Sequence, residues 1–209
     1  MKKEKGACAP ALPALKAGSF AENMAEEGAS ALRFEREVVP PLRSGAFSGC
    51  LFAKCRIFGH HRLANFEDVL FSGCDLSNAV FYGCGFSRVR FEGCKLLGLR
   101  MEESLLSDLV LSECMARDLS FSDCRLRRAE AADCDLSGAG FYRVGLKEIG
   151  LQRVSLSGAE FFKTPLEGVD LSGCDLSGLR VSEGCLKGAV VSPMQALDLS
   201  RLLGLVLKE

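Results

Sequence analysis

From Phe66 to Val191 an apolar residue returns at every fifth position without a break: Phe66, Phe71, Leu76, Phe81, Phe86, Phe91, Leu96, Met101 and onward through Phe121, Leu136, Phe141, Phe161 and Leu171. Of these 26 positions, thirteen are Leu and eight are Phe. Two residues before each stands a second series, mostly small or β-branched: Ala64, Val69, Cys74, Ala79, Cys84, Val89. The other three positions of each unit carry Ser, Gly, Asp, Glu, Arg and Lys. A helix returns to one face every 3.6 residues and a strand every second residue, so neither explains a strict five. The period implies one short extended piece and one corner per unit, with two positions in five facing inward. Four corners would close a coil of twenty residues, and stacked coils would pair their backbones along the axis at ~4.8 Å per coil. Cys74, Cys94, Cys114 and Cys134 are spaced by twenty, and Cys174 rejoins them after Val154, which supports a four-sided section.

The units Cys74-Asp75-Leu76-Ser77-Asn78, Cys134-Asp135-Leu136-Ser137-Gly138 and Cys174-Asp175-Leu176-Ser177-Gly178 resemble the A(D/N)LXX consensus of the pentapeptide-repeat family. The resemblance covers residues 64–193. It implies an all-β fold, a right-handed quadrilateral β-helix; its handedness and square section come from the resemblance and not from the period. The core is expected to hold Phe66, Phe71, Leu76, Phe81, Phe86, Phe91, Leu96, Phe121, Leu136, Phe141, Phe161 and Leu171.

The period also reads backward out of phase, through Leu42, Phe47, Phe52 and Ile57. Nine residues rather than ten separate Ile57 from Phe66, which predicts a bulge or short loop within 58–63. Residues 1–30 read as a flexible or loosely docked arm, 31–193 as the solenoid, and 194–209 as a C-terminal helix and tail. Ser192-Pro193-Met194-Gln195 has the form of a helix start, with Ser as N-cap, Pro first in the helix and Gln as capping-box partner. The helix is expected to cap the last coil, whose strand edges would otherwise stand open. Leu203-Gly204-Leu205-Val206-Leu207 resembles the ending that forms a two-fold contact in the quinolone-resistance (Qnr-like) members of the family. That resemblance implies a homodimer, with Leu199, Leu202, Leu203, Leu205 and Leu207 at the contact.

Composition narrows the chemistry. Lys and Arg number 26 and Asp and Glu 27, a net charge of −1. A nucleic-acid binder normally shows a basic excess, so direct nucleic-acid binding is not expected. No apolar run approaches the ~18 residues of a membrane span. The eleven cysteines lack a secretory signal, so a reducing cytoplasm is the expected compartment. Within the column Cys74, Cys94, Cys114, Cys134 and Cys174, thiols could bind soft metal or sense oxidants. The favoured reading is small apolar filler, since no His or acidic residue falls at the inward positions of the series. His60 and His61, the only histidines, could ligate metal, but no ligand motif flanks them and a solvated bulge is the favoured account. No nucleophile stands with a base, no cofactor fingerprint appears and no carboxylates converge in the pattern. The chain is therefore expected to be neither an enzyme nor a cofactor or metal protein.

Another protein is the expected partner. The resemblance offers one candidate, DNA gyrase or topoisomerase IV, which Qnr-like members bind by imitating DNA. The charges weigh on the choice: residues 64–193 hold 14 basic and 19 acidic side chains, and Arg125, Arg127 and Arg128 make a positive patch. B-DNA presents a charge every ~1.7 Å of axis. A protein-interaction scaffold with another partner therefore stands first, and the DNA mimic second.

Overall fold

Phe86 stands directly over Phe66 and under Leu106, because each coil consumes twenty residues and pairs in register with the next. Residues 6–20, 24–200 and 202 are described in this computed structural model, and they form a right-handed quadrilateral β-helix of about eight turns with a short C-terminal helix. Two adjacent sides are built from five long parallel strands, Asn65–Ser72, Gly85–Glu92, Leu105–Ser112, Arg125–Ala132 and Gly145–Gln152, each turning a corner at its middle. Another carries shorter strands from His60–Arg62 through Val80–Tyr82 to Arg180–Val181. The remaining side is held by single bridges that step from Asp75 to Lys95, Met115, Asp135, Ser155 and Asp175. Backbone groups thus find partners one coil up or down, as when Leu76 N donates to Lys95 O and Lys95 N to Cys74 O.

The inward residues form four columns. In-register stacking sets like side chains about one coil apart, which is also the spacing at which aromatic rings stack. Phe34, Phe52, Phe71 and Phe91 follow one another at 4.9, 4.9 and 4.7 Å. Phe47, Phe66 and Phe86 do so at 5.4 and 5.0 Å, and Phe121, Phe141 and Phe161 at 5.5 and 4.5 Å. Phe66, Phe71, Leu76, Phe81, Phe86, Phe91, Leu96, Phe121, Leu136, Phe141, Phe161 and Leu171 are all buried. Each contributes ~1.5–3 kcal/mol of transfer free energy. The second series fills the space behind them. One coil is underfilled: Ala129 and Ala131 stand where neighbouring coils place Leu109, Leu111, Ile149 and Leu151. An apolar cavity of about 50 Å³ runs from there along the axis, past Leu146 and Ile149 to Leu171.

The first coils are shorter. Ala46 and Leu51 pair with Asn65 and Leu70, a step of 19, whereas Gly28 and Arg33 pair with Ala46 and Leu51, a step of 18. One residue is lost between Ile57 and His61, where Gly59 takes φ +87. Two are lost earlier, where Pro40-Pro41 brings Val39 and Leu42 within three positions. That spacing hides Phe34 and Val39, both fully buried, from a five-residue reading. The solvated bulge expected for the histidines is not what forms. His60–Arg62 is a strand in register with Val80–Tyr82, and His61 is fully buried at an inward position. The shortening is absorbed at the corner before it, so His61 continues the column toward Phe81, stacked at 4.6 Å.

Both ends are covered. Phe20 lies over the first coil, its ring 4.9 Å from Phe34 and 6.0 Å from Phe47. At the other end Pro193–Ser200 is helical. Gln195 N donates to Ser192 Oγ at 3.3 Å and Ser192 N to Gln195 Oε1 at 2.8 Å, the reciprocal capping box. Gln195 also turns its amide onto Leu171 O and Cys174 O, both at 2.9 Å, and so satisfies carbonyls of the terminal coil.

Candidate interaction surfaces

Side chains that could carry chemistry lie either inside the coil, where backbone satisfies them, or at its corners, where they pair. The thiols are of the first kind. Cys94 Sγ reaches Phe71 O at 3.3 Å and Cys124 Sγ reaches Met101 O at 3.2 Å. Ser104 and Thr164 occupy the same kind of position and bond Phe81 O and Phe141 O in the same way. The position therefore asks for a small side chain; Ala and Val fill it elsewhere, as Val144 and Val154 do, and where Cys, Ser or Thr stands its one proton goes to a backbone carbonyl. Cys55 joins the lower end of the column Cys74, Cys94, Cys114 and Cys134, one shortened coil below Cys74. Burial pushes Cys84, Cys124 and Cys174 up to about 11. The Cys55 thiol beside Cys74 pushes that residue up to about 12. Thiols so held are poor nucleophiles and poor metal ligands. Among the eleven free cysteines only Cys8 is exposed.

His61 accepts a hydrogen bond from Leu42 N through Nδ1 at 3.1 Å, and its Nε2 meets no partner. Burial holds it down at about 4, so the ring is neutral. Among the described residues no three His, Cys, Asp or Glu converge as a metal site.

The corners carry the charges. In most units the residue two places after the large inward one takes a left-handed φ: Asp68 at 54°, Arg88 at 52°, Asp108 at 55° and Arg128 at 50°. These four follow one another up the corner between the two long-strand sides. Arg88 grips Asp68 with Nε and Nη2, both at 2.8 Å, and Arg128 grips Asp108 at 2.7 and 2.5 Å. Other corners repeat the arrangement with Arg143 on Asp123 and Arg153 on Asp133. The guanidinium on each holds the Asp68 and Asp108 carboxyls below the usual carboxylate range. Opposite charges alternate along the corner of Asp68, Arg88, Asp108 and Arg128, whereas the other two corners run from acidic to basic, through Glu103, Asp123, Arg143 and Lys163 on one and Glu113, Asp133 and Arg153 on the other.

The corner of Asp68 and Asp108 is covered by the N-terminal arm. Ala11 N donates to Asp68 Oδ1 at 3.0 Å, Cys8 N to Asp108 Oδ1 at 3.1 Å and Ala7 N to Glu130 Oε1 at 2.7 Å. The Pro13 ring lies where a side chain on Gly49, the same corner two coils below Arg88, would project. Lys16–Ala17 then pairs with Leu32–Arg33 and leads to Phe20. The sequence offered no periodic signal for this contact, because it is made by backbone N–H groups.

At the opposite end Leu199 packs partly against the last coils, while Met194, Leu197 and Leu202 are 72, 49 and 46% exposed. Leu203, Leu205 and Leu207, the other residues expected at a dimer contact, lie outside the described residues.

The repeat is recognised independently. A family described as pentapeptide repeat region matches residues 64–141, and eight copies of pentapeptide repeats match 151–190. The chain belongs to the pentapeptide-repeat family. Solved pentapeptide-repeat structures are similar to it at low identity. A trypsin-treated form of QnrB1, a plasmid-mediated fluoroquinolone resistance protein, is 19% identical, covering 86% of this chain and 89% of that one with a TM-score of 0.33. HetL, a pentapeptide-repeat protein involved in heterocyst differentiation regulation from the cyanobacterium Nostoc sp. strain PCC 7120, is 18% identical. The match covers 78% of this chain and 90% of HetL, with a TM-score of 0.26. Rfr23 from the cyanobacterium Cyanothece 51142 is 15% identical over 78% and 86% of the two chains, with a TM-score of 0.24. No curated protein matches the chain. Among the described residues of this pentapeptide-repeat protein, no helix is long and apolar enough to cross a membrane.

Proposed function

We propose that this pentapeptide-repeat protein is a non-enzymatic scaffold that binds another protein through its solenoid surface. The observation that carries the reading is the placement of its polar chemistry: thiols and His61 are spent on the fold, and the ion pairs are set at regular outward corners. A convex coil so arranged presents a rigid ruled surface and no cleft with an acid and a base. The exposed Met194, Leu197 and Leu202 at one end support a homodimer contact there. Eleven free thiols fit a reducing cytoplasm.

A DNA mimic that binds gyrase or topoisomerase IV is the second reading, and the Qnr-like ending favours it. Its difficulty is that Arg pairs with Asp at the corners, so no face carries the unbroken acidic stripe a mimic would need. A gyrase supercoiling assay with and without a quinolone separates the two. The scaffold reading expects neither inhibition nor protection at micromolar protein; either effect would replace it with the mimic.

A further inference from the structure

The arm and the corner beneath it match in a way that simple end-covering does not require. Ala11 and Cys8, three residues apart, bond Asp68 and Asp108, two coils apart. Three extended residues span ~10 Å, and two coils rise ~9.6 Å. An extended chain running down the axis therefore meets every second step of this corner. Those steps are the carboxylates, and the steps between are Arg88 and Arg128. A carboxylate offers about four acceptor sites. Each Arg takes two of them and leaves another aimed at the passing N–H.

We propose that the corner of Asp68, Arg88, Asp108 and Arg128 is a receptor for an extended, small-residue polypeptide segment of a partner, with residues 6–13 as its displaceable resident. This rests on the scaffold reading and names its surface. The arm is read through its backbone: Gly6, Ala7, Cys8, Ala9 and Ala11 bring little side chain, and Pro10 and Pro13, which have no N–H, fall at positions that donate nothing here. A side chain on Gly6 would meet the end of the Glu130 side chain, so the arm passes close to that carboxylate. No residue from 6 to 15 is fully buried, so the arm can leave without opening the core. A partner segment rich in Ala, Gly and Pro, with free N–H groups three residues apart, satisfies the same acceptors.

The test keeps the full chain. Ala7→Pro with Ala11→Pro removes two arm donors and leaves the corner untouched. Thermal melting checks that the coil persists. A fluorescent peptide of residues 6–15 is then titrated and followed by anisotropy. It should bind the proline variant at least tenfold tighter than the wild type, which its own arm blocks. Adding Asp68→Ala and Asp108→Ala to the proline variant should abolish that binding. Equal affinity for wild type and proline variant, absence of binding to the variant, or binding that survives loss of both carboxylates overturns the receptor. Wild-type dimers that disappear with Asp68→Ala and Asp108→Ala would also overturn it, because the occupant would then be the arm of a second copy. None of these results bears on the supercoiling assay, so the receptor can fail while the scaffold reading stands.

Discussion

His61 gives the fold a dependence on mild acid that can be measured directly. Folded, it is neutral: burial holds it near 4, with Nδ1 taken by Leu42 N and Nε2 facing no acceptor. Unfolded, it regains an ordinary value of ~6.5. The unfolded chain then binds more protons than the folded one as pH falls below that value, so stability falls from about pH 6.5 toward about pH 4 and is flat above. The limiting loss is ~3.4 kcal/mol, of which ~1.8 kcal/mol falls between about pH 7 and about pH 5. The aspartates held by arginine lose their contribution only below the ordinary carboxylate value, outside that interval. Denaturant unfolding followed by far-UV circular dichroism at the two pH values reads the difference. His61→Phe is the control. Phe continues the stack onto Phe81 but strands the Leu42 N–H, at ~1–3 kcal/mol near pH 7. Its profile should be flat where the wild type slopes, bringing the two proteins together near pH 5. Equal wild-type stability at both pH values, or the same slope in His61→Phe, would refute the buried neutral ring.

Other outcomes follow from the same geometry. Ala131→Leu should stabilise the protein by at most ~1.2 kcal/mol, the value at ~24 cal/mol/Å³ of filling all of the cavity of about 50 Å³; a lower melting temperature would show the void beside Ala131 to be too narrow. Phe91→Asp places a charge between Phe71 and Leu111 and should cost several kcal/mol, seen as loss of the cooperative melt. A thiol reagent should modify one cysteine, Cys8, in the native protein and all eleven after denaturation; two or more fast native equivalents would contradict the buried columns. Leu202→Arg should leave the melt unchanged and yield monomers in sedimentation, whereas an unchanged size would remove the proposed C-terminal contact.

The coil itself was legible in the amino-acid sequence from Phe66 onward, because each unit repeats the same local choice: one large apolar residue, one small one, and a corner. The capping box of Ser192 and Gln195 was legible for the same reason, as a motif of four adjacent residues. What escaped was whatever depended on one coil meeting another segment. Two residues drop out at Pro40-Pro41, so the period fails there although Phe34 and Val39 still point inward; only pairing with Arg56–Ile57 restores the register. Histidine is a polar letter in a pattern, and its burial was decided by a corner that absorbed the shortening and by a backbone N–H waiting at Leu42. The alternation of Asp and Arg up one corner lies twenty residues apart in sequence and becomes a ladder only when the coils stack. The arm that rests on it binds through main-chain groups, which every residue but proline carries, so side-chain identity could not announce it.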